Sequence, residues 1–384
     1  MRILITNHEL DARAGSELYV RDLASALVAR GHRPIAFSTR LGAVADELRA
    51  ATVPVVDDLA RIAESPDLVH GQHHLETMAA LLRFAGVPAV FFCHGWIPWE
   101  EAPPQHPRIL RYVAVDDTCR DRLVLEHGIP AARVRVVLNF VDLARFRPRA
   151  PLPAIPRRAV VFSNTASEGT HVPAILEACR RAGVALDVIG SSAGTATDRP
   201  EAVLGQYDLV FAKARAAIEA LAVGAAVVLC DARGAGPMVT SVNLERLRRL
   251  NFGIRALDRP VDAGWLFDEI QRYSAAEAAE VSRRIRATAG LDAAVDEILA
   301  IYEEALAEWR AGPKPSPEEE GTAASVYVQW LARWFKGAAR TLADNARLGQ
   351  ELQRIRATRT WRIHDAVFSV PLVRRVYRAV RRVP

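Results

Sequence analysis

Short apolar runs alternate with amphipathic stretches along most of the chain. Residues 2–6 (RILIT) read as a buried strand, followed by a polar, glycine-containing loop. Residues 16–30 then carry Leu18, Leu23, Ala26 and Leu27 at helical spacing, with Ser16 placed as an N-cap. Gly31-His32 ends that helix and 34–38 starts a second strand. The cycle repeats as strand 68–70, helix 74–85, strands 89–92 and 112–115, helix 117–127 and strand 134–138. Strands alternating with helices predict βαβ units around a parallel sheet. Four prolines (Pro148, Pro151, Pro153, Pro156) then break all periodicity, so 148–158 is expected to link two domains. A second alternation follows: strands 159–163, 186–190, 209–211 and 226–230, with helices 172–182 and 215–222. Helices at 265–273, 275–287 and 293–309 close it. Residues 311–321 (AGPKPSPEEEG) hold too few apolar groups to pack and read as a second linker. The remainder is predicted helical, with Trp330, Trp334, Leu342, Leu348, Leu352 and Ile355 on one broad face. The expected fold class is therefore α/β. Two doubly wound domains, 1–147 and 159–310, face a cleft, and a helical tail spans 322–384. Such halves bind ligands at the C-terminal ends of their strands.

Composition agrees with that division. The 384 residues are 50% hydrophobic and 25% charged, which suits a globular protein and excludes a fibrous or wholly disordered one. No apolar run reaches the ~18 residues of a membrane span, and the N-terminus reads as a strand rather than a signal peptide. Cys93, Cys119, Cys179 and Cys230 lie far apart and read as reduced, buried thiols, pointing to the cytoplasm. The net charge of +5 is uneven, since residues 321–384 hold thirteen Arg and Lys against three acids, leaving the body mildly acidic. Within 354–382 nine arginines are interleaved with apolar residues, Pro371 dividing the run before a terminal stretch at 373–383. This pattern suits an anionic membrane surface, on the inner face of the cell membrane, or a docking helix. No nucleic-acid-binding motif accompanies it.

Chemistry enters through absences first. GxGxxG after a strand, GxxxxGK[ST], GxSxG and HExxH are all missing, which removes several common enzyme classes. The most informative segment is 207–240, YDLVFAKARAAIEALAVGAAVVLCDARGAGPMVT. Its turn sets Lys213 and Arg215 at a helix start, where unpaired backbone N–H groups also point, a combination suited to a diphosphate. The chain has 47 Arg but three Lys, and Lys213 is the only one before 311–321. Glu219, four residues after Arg215, is either its intrahelical partner or an acceptor for a ligand's vicinal hydroxyls. Arg233, in the loop after strand 226–230, is a second anion contact. His94 follows an apolar strand and either faces the cleft or sits bonded in the core. Trp96 and Trp99 beside it either stack on a sugar or cap their loop. Gly15 and Ser16 offer flexible backbone and a helix N-terminus. His70, His73 and His74 diverge on regular backbone with no completing ligand, so no metal and no cofactor are expected.

Taken in order, these segments resemble a GT-B glycosyltransferase close to the large retaining family 4. Residues 14–32 (AGSELYVRDLASALVARGH) are similar to that family's glycine loop and first helix. His94-Gly95 is similar to its HG element, 134–148 (VRVVLNFVDLARFRP) to its NGVDxxxFxP segment, and 186–190 with Ser191-Ser192 to its LxIxG strand and turn. The resemblance implies two Rossmann-like halves, an acceptor-side one and a donor-side one. It implies a nucleotide diphosphate sugar as donor, a glycan or lipid-linked acceptor, and retention of configuration. It places His94 near the donor sugar and the Gly15-Ser16 loop near the phosphates or acceptor. Three departures stand out. The family's E-x7-E pair keeps only Glu219, the first acid being Phe211; residues 163–169 lack the usual Arg and Lys; and NG has become Asn139-Phe140. Two other readings fit these departures: a non-catalytic glycan-binding or assembly module, and a nucleotide-sugar hydrolase or epimerase of the same fold.

Overall fold

The computed structural model describes residues 1–369. The first half runs β1 (Arg2–Thr6), α1 (Gly15–Ala29), β2 (Arg33–Phe37), α2 (Ala43–Ala50), β3 (Val55–Val56), β4 (Leu68–Gln72), α3 (His74–Arg83), β5 (Ala89–Cys93), β6 (Ile109–Ala114), α4 (Asp117–Asp121) and β7 (Val134–Val136). Its seven strands are all parallel, in the order β3-β2-β1-β4-β5-β6-β7. The second half runs β8 (Arg158–Phe162), α5 (Val172–Ala182), β9 (Ala185–Ile189), α6 (Pro200–Val203), β10 (Leu209–Ala212), α7 (Ala214–Val223), β11 (Ala226–Asp231), β12 (Gly234–Met238), α8 (Leu244–Arg249), α9 (Ala263–Gln271), α10 (Ala275–Thr288) and α11 (Leu291–Ala311). Its sheet is ordered β12-β11-β10-β8-β9, with only β12 antiparallel to its neighbour. Both are doubly wound sheets. Strands such as β5 (AVFFC) are apolar on both faces because helices cover both sides.

Packing divides the chain differently from the expected boundaries at 147 and 310. Val137 and Phe140 belong to the first core, whereas Val141 and Phe146 already belong to the second. Helix α11 follows the second half in sequence, yet Val295, Ile298, Ile301, Tyr302, Ala305 and Leu306 sit in the first core. The chain therefore crosses between halves twice, and the two crossings are stitched together. The Val141 N–H donates to the Ala289 carbonyl (2.9 Å), and the Leu291 N–H donates to the Val141 carbonyl (3.0 Å). A hydrophobic face is satisfied wherever it meets a matching one, and α11 packs against α1, β5 and β6 of the first half.

Two further differences are local. The helix expected over 117–127 is α-helical only to Asp121, and Arg122–Glu126 winds as a π turn. There Arg122 turns inward, donating to the carbonyls of Gly95 (2.6 Å) and Pro98 (3.1 Å), so it ties down the loop after β5. The linker expected over 311–321 shrinks, because α12 (Pro317–Ala357) begins inside it, followed by α13 (Arg359–Ser369). Ser316 and Glu319 form a reciprocal capping box, and Pro317 suits the first turn, so an apolar-poor sequence still nucleates a helix. Residues 1–315 form one compact unit, and the described residues from 316 to 369 belong to a second. Among the described residues no helix is long and apolar enough to cross a membrane. The terminal stretch at 373–383 and Pro371 lie outside the described residues.

Candidate active site in the cleft between the halves

The C-terminal edges of the two sheets face each other across two cavities. One, of about 450 Å³, lies between the loop before α1 (Ala12–Ala14) and the second half, where Asn164, Gly190, Ser191, Ala216 and Glu219 line it. Glycine is required at 190 because a Cβ there would meet the Ser163 carbonyl oxygen at 1.9 Å. The other, of about 260 Å³, brings His94, Gly95, Trp96 and Asp116 of the first half to Lys213, Ala214, Arg233 and Asn251 of the second. Backbone strain gathers at its rim. Ala214, Asn251 and Phe252 have φ of 48°, 52° and 51°, a region that non-glycine residues seldom occupy.

Lys213 precedes α7 in extended conformation, its ammonium 3.1 Å from the Asp231 carboxylate at the end of β11. Asp231 also accepts from the hydroxyls of Thr165 (3.0 Å) and Ser163 (3.3 Å). Burial alone would raise the Asp231 carboxyl, but Lys213, Thr165 and nearby His171 hold it below its ordinary range. Both ring nitrogens of His171, itself 1% exposed, lack a hydrogen-bond partner. Arg215 points elsewhere. Its Nε donates to Glu219 (2.8 Å) and its outer nitrogen to Asp22 on α1, so the pair bridges the halves. Burial opposes the guanidinium charge, but Asp22 and Glu219 outweigh it and keep Arg215 protonated.

His94 is held through its backbone, its N–H donating to Glu101 (2.8 Å). The other oxygen of Glu101 lies 3.4 Å from Nε2 of His73, whose Nδ1 accepts from the His8 N–H (2.9 Å). The His94 ring stands edge-on to Tyr19 (centroids 4.5 Å apart), and its Nε2 is buried without a partner. Burial pushes its pKa down to about 4, overriding Glu101, so the ring is neutral at physiological pH. His74 and His106 are likewise pushed down to about 4, chiefly by burial. Between pH 4 and the ordinary 6.5 the unfolded chain binds protons that the folded one refuses. The stability these groups supply is thus complete above pH 6.5 and declines as pH falls. His94→Asn should flatten that decline, read as the change in denaturant unfolding free energy from pH 7 to 5. An unchanged slope would place the loss in other groups.

Comparison with known proteins decides the architecture. Residues 13–145 match the profile of Glycosyltransferase Family 4. No curated protein sequence matches the chain. Among solved structures, a glycosyltransferase from Rickettsia africae superposes with a TM-score of 0.60 at 15% identity, covering 79% of this chain and 98% of that one. Anabaena HepE in complex with UDP and glucose gives 0.59 at 15% identity, over 79% and 99%. Sucrose-phosphate synthase from Thermosynechococcus elongatus gives 0.56 at 14%, over 80% and 99%. The chain has the GT-B glycosyltransferase fold.

Within this GT-B chain the structure gathers His94, Lys213 and Arg233 around the smaller cavity and puts Glu219 on the larger. Arg215 is held by two carboxylates rather than facing open space, and Glu219 is its intrahelical partner, one of the two readings of that spacing. Gly15 and Ser16 open α1 just behind the cavity-lining Ala14, and a Cβ at Gly15 would meet nothing. Ser16 donates to Glu17 (3.0 Å). Trp96 lines the smaller cavity, and Trp99 stacks edge-on with His74. Among the described residues no cluster of His, Cys, Asp or Glu is placed to hold a metal ion. Sequence reading passed over Asp22, Asp231, His171 and the His73–Glu101 pair. Asp231 left one signal, a carboxylate closing an otherwise apolar strand (AVVLCD).

Proposed function

We propose that the protein transfers a sugar from a nucleoside diphosphate sugar to a glycan or lipid-linked acceptor, with retention of configuration and without a metal. The observation that carries this is the cavity where His94 from one half meets Lys213 and Arg233 from the other. Lys213, paired with Asp231, and Arg233 stand beside a helix start opposite a neutral histidine there, an arrangement that suits a departing diphosphate able to compete with Asp231 and a sugar hydroxyl. The larger cavity, with Glu219 and the Gly190 turn, takes the nucleoside. HepE is solved with UDP, so a uridine nucleotide is the first donor to try. As the bond from the anomeric carbon to the diphosphate breaks, Lys213 and Arg233 stabilise the growing negative charge. The acceptor oxygen bonds to the same carbon on the same face, and its proton passes to the leaving phosphate oxygen. The basic residues beyond 357 suit an anionic membrane surface, where a lipid-linked acceptor resides.

Incubation with UDP, GDP, ADP, dTDP and their sugars, read by thermal shift and by product NMR, tests the reading. One diphosphate should stabilise the fold, and the product should keep the donor's anomeric configuration. No stabilisation by any of them would leave the binding-module reading; sugar release without an acceptor would favour a hydrolase. His94→Ala should lower kcat by about a hundredfold while donor affinity changes little, because a contact made in the transition state affects turnover first. A variant that keeps its kcat but melts earlier would make His94 a core residue instead.

A further inference from the structure

We propose that the smaller cavity selects an uncharged hexose as the sugar to be transferred, Asp116, Thr118 and Asn251 bonding its hydroxyls and a sugar carboxylate being turned away. This rests on the donor reading above and adds which sugars the site admits. The sugar is attached to the diphosphate that Lys213 and Arg233 hold, so it lies in the same cavity.

Three polar atoms of residues lining that cavity have no hydrogen-bond partner among the described residues: Nε2 of His94, Oγ1 of Thr118 and Oδ1 of Asn251. Thr118 and Asn251 are only 5% and 4% exposed, so water does little to replace a partner. Folded chains leave few buried polar atoms bare, and three around one cavity call for a ligand with several hydroxyls. They come from both halves: His94 follows β5, Thr118 lies in α4, and Asn251 belongs to the strained turn after α8. What satisfies all three must sit between the halves.

Asp116, also buried, adds a carboxylate to the same cavity. Its Oδ1 caps α4 by accepting from the Cys119 N–H (2.6 Å). Its Oδ2 faces the second half, where a Cβ on Gly253 would come within 3.9 Å, so glycine leaves the approach open. Charge then separates neutral from acidic sugars. Lys213 and Arg233 are engaged by the diphosphate, and Arg255 is held by Asp121 (2.6 Å). A carboxylate on the sugar would meet Asp116 without a cation of its own. Burial already pushes the Asp116 carboxyl up, against the pull of Cys119 and Arg255, and a like charge beside it adds to that penalty.

The probes are the nucleoside diphosphate that stabilises the fold, UDP first, with its glucose and glucuronic acid derivatives. The two sugars differ only in carrying a hydroxyl or a carboxylate at C6. In titration calorimetry the glucose derivative should bind about tenfold more tightly, or better, since like charges are set against the other. Asp116→Asn keeps a helix-capping side chain and removes the charge, so this preference should largely disappear. Thr118→Val, nearly the same shape, should weaken the glucose derivative about fivefold relative to the bare diphosphate. If no nucleoside diphosphate binds, the donor reading fails and this inference with it. A bound diphosphate with equal affinity for the two sugars overturns this inference alone, as does a preference that survives Asp116→Asn. Substitutions that leave donor affinities unchanged and raise only the KM of an acceptor would assign these residues to the acceptor and overturn it too.

Discussion

Lys213→Ala should weaken nucleoside diphosphate binding by about a hundredfold, the upper end expected for losing one charge-assisted phosphate contact. The upper end applies because the substitution does two things. It removes a cation from the smaller cavity, and it strips Asp231 of the partner 3.1 Å away. A carboxylate 2% exposed, without its cation and held only by the Thr165 and Ser163 hydroxyls, then faces the incoming phosphates. Asp231→Asn separates the two effects. That variant frees the ammonium from its competitor, so its affinity for the diphosphate should hold or rise. Titration calorimetry of both variants with the diphosphate that stabilises the wild-type fold is the measurement. Equal weakening by both substitutions would mean that the ion pair shapes the loop and that the lysine does not touch phosphate.

Asp22→Asn should destabilise the protein by about 3 kcal/mol, the lower bound for breaking a buried ion pair on one side. Asp22 and Arg215 have side chains 6% and 14% exposed, and they join α1 of one half to α7 of the other. Asp22 also lies 2.6 Å from Arg21 and 3.7 Å from Arg145. Those two arginines keep other carboxylates, Glu47 and Glu201 respectively, so the loss falls mainly on Arg215. Denaturant unfolding monitored in both halves would check the magnitude. A change below about 1 kcal/mol, the range of exposed pairs, would mean that water already reaches this contact. Loosening the pair also leaves Arg215 a single carboxylate, so nucleotide affinity in the folded variant should not fall. A sharp fall would show that closure of the cleft, held by this pair, is itself part of donor binding.

Elements, and contacts between residues a turn apart, were legible without the structure. Periodicities of two and 3.6 marked both α/β alternations, because they report which face of each element must leave water. The Arg215–Glu219 pair was legible for a related reason, since four residues along a helix is one turn and forces the side chains together. The unusual placement of Lys213 was visible as composition alone. Contacts across the fold were not. Asp231 meets Lys213, Asp22 meets Arg215 from 193 positions away, and Glu101 meets His73, each through strand order and the crossing of the chain between halves. The return of α11 to the first core escaped for the same reason, as its apolar face would have suited either half. Local spacing therefore determined what each segment is. Which charges neutralise one another, and hence which cations remain to meet a ligand, was decided by the packing of two sheets edge to edge.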